Sequence, residues 1–318
     1  MRPILFFAFI SACPTTAFSD FLFVSSADNA TVFQIDTSSG NVVSSIVDPG
    51  FLVQPRGLAL NSSHTQIHVA SPGSNFASLR YDIATSQRID GVVNTGVTSV
   101  SRGLDLTADG TKLYIASTTG AISVRDFTQG TTNTVIRGLS NPLGIQLSSD
   151  EASIFVANSG ANSVVERSLS DGATLRTFDS PNRLTADVEF TRDRSLMYVS
   201  TFGDSGNGAI LPAILTFDVL TGQLVSTWSD PSFNGDYYGL ALSGDENRLF
   251  VSDFANSRIL QFDTGTGLAS ELLTGANLSS PTFLAIHAVP EPSSLLLVTL
   301  LGSTLAFYRT RHLSRSCL

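Results

Sequence analysis

Short apolar segments recur along the chain, and each of them ends in a small residue. Counted between the last Val or Ile of successive segments, the spacings are 45, 46, 41, 43 and 52 residues. A repeat of about 40 to 50 residues made of short strands is typical of a β-propeller, in which each repeat forms one four-stranded blade. We assign the segments to the second strand of each blade: residues 21–25, 67–70, 113–116, 154–157, 196–200 and 249–252.

A second pattern begins nine or ten residues ahead of every segment except the first. Its second and fourth positions are always apolar, as expected of a strand with one face in the core. Its other positions are rich in Gly and Ala, which suit the crowded region near the propeller axis. The pattern therefore predicts the innermost strand of each blade, at residues 57–60, 103–106, 144–147, 187–190 and 239–242.

Third strands commonly end on an aspartate that is followed by a Thr/Ser/Gly turn. A ring of metal-binding carboxylates is one interpretation of this repetition. We favour the other, in which each aspartate accepts N–H hydrogen bonds from the turn and closes the hairpin. The fourth blade departs from the pattern, with Arg167 and Ser168 at this place. The aspartates are Asp36, Asp82, Asp126, Asp218 and Asp263.

The two ends of the repeat region complement each other. The first blade lacks an inner strand, and residues 283–286 form an unpaired one at the far end. Pairing of residues 283–286 with residues 21–25 closes the ring and leaves no open blade. The sequence therefore predicts an all-β domain at residues 20–288, a six-bladed β-propeller of four-stranded antiparallel blades closed by its N- and C-terminal strands. The insertion at residues 204–212 leaves the blade count open by one.

Residues 1–19 have the features of a secretory signal peptide. Arg2 supplies a positive charge, residues 4–10 are apolar, and Ala17 and Ser19 are small residues before a cleavage site. The segment ending at Cys13 also fits the lipobox at which lipoproteins are cut and acylated. Both interpretations predict export, and they differ in the cleavage site.

Residues 289–318 combine a rigid spacer, an apolar segment and a basic tail. The spacer is Val289-Pro290-Glu291-Pro292, the apolar segment is 295–308, and Arg309, Arg311 and Arg315 follow it. Fourteen helical residues extend about 21 Å against a hydrocarbon core of roughly 30 Å. We expect a short transmembrane helix that anchors the chain transiently, with the arginines on the cytoplasmic side. A helix of the folded core is the alternative.

This order of elements resembles the PEP-CTERM sorting signal, which a membrane exosortase reads in Gram-negative bacteria. The resemblance implies export across the inner membrane, transient anchoring, and display at the cell surface or in the extracellular matrix. It implies exosortase and the secretion machinery as partners. Because such proteins are associated with exopolysaccharide and biofilm export, it also implies an exopolysaccharide or another surface protein as a partner.

The repeats themselves resemble the YVTN-type and NHL-type propeller repeats. Residues 155–164 match the first type, and residues 249–259 match the second. Members of both families range from peptide-binding scaffolds to sugar lactonases. The resemblance therefore implies a propeller and leaves the activity open.

Composition limits the chemistry. Cys13 and Cys317 are the two cysteines and both lie outside residues 20–288, so a domain cut after Ser19 has neither disulfides nor Cys-ligated metals. Lys112 is the one lysine, and the formal net charge is −9. Such a surface argues against nucleic acid and anionic lipid as partners, because both require basic contacts. It permits divalent cations and neutral glycans.

Catalytic motifs are not evident. His64 is placed in a turn and His68 and His287 on strands, and no two of these histidines occupy positions that are expected to converge. We find no nucleophile elbow, no His-Glu-x-x-His and no phosphate loop. Trp228 is the one tryptophan, which disfavours the Trp-rich blades of quinone-dependent propellers. The histidines of lactonase propellers do not map onto this chain.

Polar residues on the inner strands form the best candidate site. Their carboxylate and amide oxygens suit Ca²⁺ or Mg²⁺, for which Asp105, Asp187 and Glu189 are the candidate ligands. The Arg and Tyr residues at the rim could bind a carbohydrate or peptide. The alternative is a solvated channel in which these groups bridge water. The candidates are Arg56, Arg102, Asp105, Gln146, Asp187, Glu189 and Tyr238.

Three functions are compatible with these features. The first is a non-catalytic, surface-sorted propeller that binds a matrix component, an exopolysaccharide or a protein. The second is a secreted lactonase-like hydrolase that acts on a small sugar or lactone. The third is a structural spacer of the cell envelope. The scarcity of histidines favours a protein that is not an enzyme.

Overall fold

The computed structural model describes residues 20–93, 100–203, 210–275 and 278–288. Within these residues the chain forms twenty-four β-strands and two short 3-10 helices, Ser159–Ala161 and Pro231–Phe233. Four predicted features lie outside the described residues: the signal peptide, the sorting motif Val289–Pro292, the apolar segment 295–308 and the basic tail. In the part of the chain that is described, no helix has the length and apolar character needed to cross a membrane.

The strands form six antiparallel sheets of four strands each, so the predicted architecture of a six-bladed β-propeller is confirmed. Within the described ranges they are β1 (Phe21–Ser26), β2 (Thr31–Asp36), β3 (Val42–Val47), β4 (Leu58–Leu60), β5 (Gln66–Ala70), β6 (Phe76–Asp82), β7 (Arg88–Val93), β8 (Ser101–Leu106), β9 (Lys112–Ser117), β10 (Ala121–Asp126), β11 (Thr131–Ile136), β12 (Pro142–Leu147), β13 (Ser153–Asn158), β14 (Ser163–Ser168), β15 (Thr174–Asp179), β16 (Thr185–Phe190), β17 (Leu196–Thr201), β18 (Ala213–Asp218), β19 (Leu224–Trp228), β20 (Tyr237–Leu242), β21 (Arg248–Asp253), β22 (Arg258–Asp263), β23 (Ala269–Thr274) and β24 (Pro281–His287).

The first blade contains both ends of the domain. Its strand order is β24-β1-β2-β3, with β24 antiparallel to β1. Leu22 pairs with Ile286 and Val24 with Leu284, in the pairing expected from the sequence. The ring is therefore closed by hydrogen bonds between strands that lie at opposite ends of the domain, and the inner strand of the first blade is supplied by the end of the chain.

The core lies between neighbouring blades, where the apolar faces of the second strands pack. Val24, Val69, Val156, Val199 and Val251 are fully buried. Between the fourth and fifth blades the rings of Phe155 and Phe190 meet edge to face, with centroids 4.8 Å apart. Alternation along each strand supplies these apolar faces, which is why the short segments recur at the blade period.

In four blades the inner strand approaches the next inner strand too closely for a side chain at one level, that of Gly57, Gly103, Gly144 and Gly239. A Cβ at Gly57 would overlap the carbonyl of Arg102, and one at Gly103 would overlap that of Leu143. Glycine at this repeat position is therefore a steric requirement of the converging blades. Asp187 and Phe283 occupy the same level in the fifth and first blades.

The aspartates at the ends of the third strands close turns, as the favoured interpretation predicted. Asp126 Oδ1 accepts from the N–H of Thr128 at 2.9 Å, and Asp218 Oδ1 accepts from the N–H of Thr221 at 2.7 Å. In the described residues, no group of three or more His, Cys, Asp or Glu side chains is arranged to hold a metal ion. The aspartates at the ends of the third strands therefore have a local, structural role.

Candidate functional site

The inner strands β4, β8, β12, β16, β20 and β24 surround the propeller axis in matching register. The N–H of Gly57 donates to the carbonyl of Arg102 on the next inner strand at 2.8 Å. The level of Gly57 therefore divides the candidate residues into two groups. Arg56, Arg102 and Tyr238 stand one residue before this level in their strands, whereas Asp105, Gln146 and Glu189 stand two residues after it.

Three residues of strand correspond to about 10 Å, so the candidate residues form two levels and not one cluster. We call the first level the arginine mouth, defined by Arg56, Arg102 and Tyr238 together with three aromatic neighbours, Phe202, Phe254 and Phe283. We call the second level the carboxyl level, defined by Asp105, Gln146 and Glu189 together with Asp187, which stands at the intervening level of Gly57. All four line a channel cavity of about 200 Å³.

The aspartates of the carboxyl level bond the inner strands to one another. Asp105 accepts from the N–H of Leu106 at 2.8 Å and, on the next inner strand, from that of Leu147 at 2.6 Å. Asp187 does the same with the N–H groups of Val188 and Leu240, both at 3.0 Å. Inner strands have an unpaired edge toward the axis, so these carboxylates satisfy backbone donors that would otherwise face the channel without a partner.

Burial controls the protonation of the same carboxylates. It raises the pKa of Asp105 to about 6 and that of Glu189 to about 7, although backbone N–H groups bonded to each carboxylate oppose the shift. Burial also raises the pKa of Asp187 well above its usual range. The charged forms are disfavoured because burial in the channel removes water from around these carboxylates.

The carboxyl level is a poor match to the cation site considered from the sequence. Asp105 and Asp187 each use both oxygens on backbone amides. By contrast, Gln146 Oε1 is buried and has no hydrogen-bond partner in the described residues, so this one oxygen remains available as a ligand. The arrangement thus favours carboxylates that stabilise the inner strands over a Ca²⁺ or Mg²⁺ site at Asp105, Asp187 and Glu189.

The backbone holds the arginines of the mouth in place. The N–H of Arg56 donates to the carbonyl of Ala70 at 2.9 Å, and the hydroxyl of Ser25 donates to the carbonyl of Arg56. Arg102 is fixed through its carbonyl, which accepts from Gly57. Two cationic side chains therefore begin from adjacent, rigid strands at the same end of the channel.

Neither guanidinium group forms an ion pair or a side-chain hydrogen bond with the residues that the structure describes, and Arg56 Nε is buried without a partner. Burial lowers the pKa of Arg56; Tyr238 raises it, the neighbouring charge of Arg102 lowers it, and Asp28 raises it. The two like charges lie close enough to affect each other.

Aromatic rings form the other side of the mouth. Tyr238 is buried, and its ring centroid lies 5.2 Å from that of Phe202, 6.0 Å from that of Phe254 and 5.1 Å from that of Phe283. The guanidinium carbon of Arg56 lies 6.0 Å from the centroid of Phe254. The sequence analysis missed Phe202 and Phe254. Their equivalent positions could have indicated them, because each phenylalanine directly follows the second strand of its blade and the two blades are adjacent.

The histidines correct one expectation. His64 and His287 converge, with ring centroids 4.5 Å apart, so the expectation that no two histidines meet is wrong. Ring closure causes this contact, because it places the end of β24 beside the first turn of the second blade. His68 lies apart from them, buried beside Phe127, and burial lowers its pKa to about 4.

A cavity larger than that of the channel lies away from it, at the fourth and fifth blades, with a volume of about 690 Å³. Ser168, which stands where other blades have the turn aspartate, belongs to its lining. Glu166 accepts there from the Ser153 hydroxyl at 2.7 Å and from Arg176 Nε at 2.5 Å. Glu166 and Arg176, two of its charged lining residues, are thus paired with each other.

Fold and site together define a closed six-bladed β-propeller with an arginine- and aromatic-lined channel mouth. The sequence matches no family model and no curated protein. Solved structures share the fold. A chain of a nidogen–laminin complex superposes with a TM-score of 0.68 at 10% identity, over 84% of this chain and 98% of that chain.

Two enzymes are also similar in structure. Hydrazine synthase of Kuenenia stuttgartiensis has a TM-score of 0.60 at 20% identity, over 76% of this chain and 73% of that one. Virginiamycin B lyase from Staphylococcus aureus has a TM-score of 0.55 at 14% identity, over 72% and 73%. At these identities the similarity concerns the β-propeller fold, and the neighbours differ in function.

Proposed function

We propose that the protein is an exported, surface-sorted β-propeller that binds a component of the extracellular matrix without chemical turnover. The observation that carries this proposal is the arginine mouth. Two guanidinium groups without ion-pair partners among the described residues stand beside half-buried aromatic rings at one end of the channel. Such a combination of charge and apolar surface is typical of a recognition site.

Binding is favoured over lactonase-like hydrolysis by the chemistry of the channel. Asp105 and Asp187, two of its three acids in the described residues, are occupied with backbone amides. His68, the buried histidine, lies beside Phe127 rather than at the mouth. A general acid or base needs a free position within reach of substrate. These groups instead maintain the inner strands.

Export and sorting complete the proposal. The signal peptide at residues 1–19 directs the chain across the inner membrane, and an exosortase reads the Val289–Pro292 motif while segment 295–308 anchors the chain. Support comes from the sequence pattern at the two ends. Intact mass from cells with and without the exosortase tests this part. An unchanged mass in both strains would contradict processing, and a lipid adduct would identify cleavage before Cys13.

Binding is tested with the native extracellular polysaccharide and matrix proteins of the producing bacterium. The full chain, purified in a mild nonionic detergent, is compared with the Arg102→Ala variant by co-sedimentation. We expect the parent protein to co-sediment with the matrix material and the variant to remain in the supernatant. Turnover on a panel of lactones would support the hydrolase instead. If the protein shows no binding and no turnover, the result would support a structural spacer.

A further inference from the structure

The charges and rings of the arginine mouth also indicate the chemical class of its ligand. We propose that the mouth recognises a sugar unit that carries a carboxylate, as in an acidic extracellular polysaccharide; this inference rests on the proposed function. Arg56 and Arg102 would bind the carboxylate, and the rings of Phe202 and Phe254 would contact the sugar.

The first step is the placement of the two cations. Arg102 lies on the inner strand β8, and Arg56 lies two residues before the neighbouring inner strand β4. The two segments are joined by the 2.8 Å hydrogen bond from Gly57 N–H to the Arg102 carbonyl. Both side chains are half-buried. Folding therefore positions the pair before any ligand arrives, which reduces the entropy lost on binding.

The second step is the lack of an internal counter-ion. Asp28 is the acid whose charge raises the pKa of Arg56. Among the described residues, however, Asp28 forms no ion pair, and its Oδ2 accepts hydrogen bonds from the hydroxyls of Ser279 and Ser280. Most other arginines of the described residues have an internal partner. Four form ion pairs with acids: Arg80, Arg88, Arg176 and Arg258. Six others donate to backbone carbonyls: Arg125, Arg167, Arg183, Arg192, Arg194 and Arg248. Two adjacent guanidinium groups without an acid repel each other, and an external carboxylate removes that repulsion and accepts paired hydrogen bonds.

The third step is the apolar surface opposite the arginines. Tyr238, Phe283, Leu143 and Ala186 form a buried cluster, against which the half-buried Phe202 and Phe254 pack. A ligand at the mouth therefore meets charge on one side and flat apolar rings on the other. A uronate unit has this division: a carboxylate on one edge and C–H groups on the ring face, which pack on aromatic side chains.

The experiment compares polygalacturonate with its fully methyl-esterified form, because the two share a backbone and differ in charge. Affinity is measured by microscale thermophoresis on the full chain in detergent, at two salt concentrations. Arg102→Ala is the principal variant. Lys112→Ala is the matched control, because it removes the same charge from an exposed residue at the far end of the same blade. Phe254→Ala tests the aromatic contact.

We expect polygalacturonate to bind, with affinity that falls as salt increases, and the ester to bind at least about tenfold more weakly. Arg102→Ala should weaken binding by about tenfold or more, Phe254→Ala by several-fold, and Lys112→Ala should leave it unchanged. Circular dichroism spectra that match the parent confirm that the variants are folded.

Four outcomes would overturn the inference. Equal affinity for the acid and the ester would show that the carboxylate is not recognised. Binding of the native polysaccharide but not of polygalacturonate would also contradict the inference, while leaving the proposed function intact. Equal, Arg102-dependent affinity for polyglutamate would identify an acidic peptide as the ligand. No binding to these polymers, the native polysaccharide or the matrix proteins would reject the proposed function as well.

Discussion

The chain contains two sets of carboxylates that accept similar hydrogen bonds but whose pKa values are shifted in opposite directions. The turn carboxylates are exposed, and hydrogen bonds from following Thr residues lower their pKa values. The channel carboxylates also accept backbone N–H bonds, yet burial raises their pKa values. The turn set is Asp82, Asp126, Asp218 and Asp263, and the channel set is Asp105, Asp187 and Glu189.

The difference shows that solvent, rather than the hydrogen-bond partner, decides the charge of these groups. A backbone N–H stabilises the ionised form in both places, but in the channel the loss of hydration is larger. A carboxylate can therefore be a poor metal ligand and a good structural acceptor at the same position. The following predictions test this comparison.

Asp187→Ala should have the largest effect. It removes the acceptor of the Val188 and Leu240 N–H groups, which then face the channel unpaired. We expect the free energy of unfolding at pH 5 to fall by about 3 kcal/mol, measured by urea denaturation. Asp218→Ala is the control, because its N–H partner at Thr221 is exposed to water. Similar losses in the two variants would contradict the distinction between the sets.

Replacing Asp105 by Asn and Glu189 by Gln together should flatten the dependence of stability on pH. The folded pKa values of about 6 and about 7 lie above the usual values of 3.8 and 4.5. Their contribution to stability is therefore complete below pH 4 and is lost as pH rises through 6 and 7. We expect the parent to lose roughly 2 kcal/mol from these groups by pH 8, since partial exposure reduces the effect.

Unfolding curves at half-unit pH intervals measure this slope. The double variant should lack the loss between pH 5 and 8, whatever its stability at a single pH. An identical slope in parent and variant would show that the channel does not disfavour the charged forms.

His68→Phe tests burial with a group of the opposite charge. The folded pKa of His68 is about 4, below its usual 6.5, so the histidine supports the fold above pH 6.5 and this support is lost as pH falls toward 4. Other blades carry Phe or Tyr at this strand position, as at Phe155 and Tyr198. We expect the variant to gain about 1 to 2 kcal/mol at pH 5. A loss at pH 5 in urea denaturation would contradict this account.

Asp126→Asn should have the smallest effect, and only in acid. Hydrogen bonds from Thr128 and Gln129 lower the pKa of Asp126, so its contribution is present above pH 3.8 and is lost as pH falls below that value. Thermal melts at pH 6 and pH 2.5 measure it. The difference between parent and variant at pH 6 should vanish at pH 2.5, and a constant difference would argue against a charge effect.

Repetition made most of the fold predictable. The spacing of the apolar segments defined the blades, and the missing first strand required that residues 283–286 pair with residues 21–25. Both features follow from local alternation and from the need to close the ring. The turn aspartates were predictable for the same reason, because their hydrogen bonds lie within a few residues.

The site was less predictable because it depends on position along the inner strands and on contacts between repeats. The residues chosen from sequence lie on or directly before the inner strands, but Arg102 and Asp105 belong to different levels of one strand. His64 and His287 meet because the ring closes between distant segments. Phe202 and Phe254 lie beyond the ends of their strands, where alternation gives no signal.

The location of bound ligand tests the proposed binding role most directly. Hydrogen exchange of the full chain, with and without native extracellular polysaccharide, reports protection for each peptide. We expect protection in peptides that contain Arg56, Arg102, Tyr238 and Phe254, and none in those that line the cavity of the fourth and fifth blades. Protection confined to that cavity, or to outer strands, would contradict recognition at the arginine mouth.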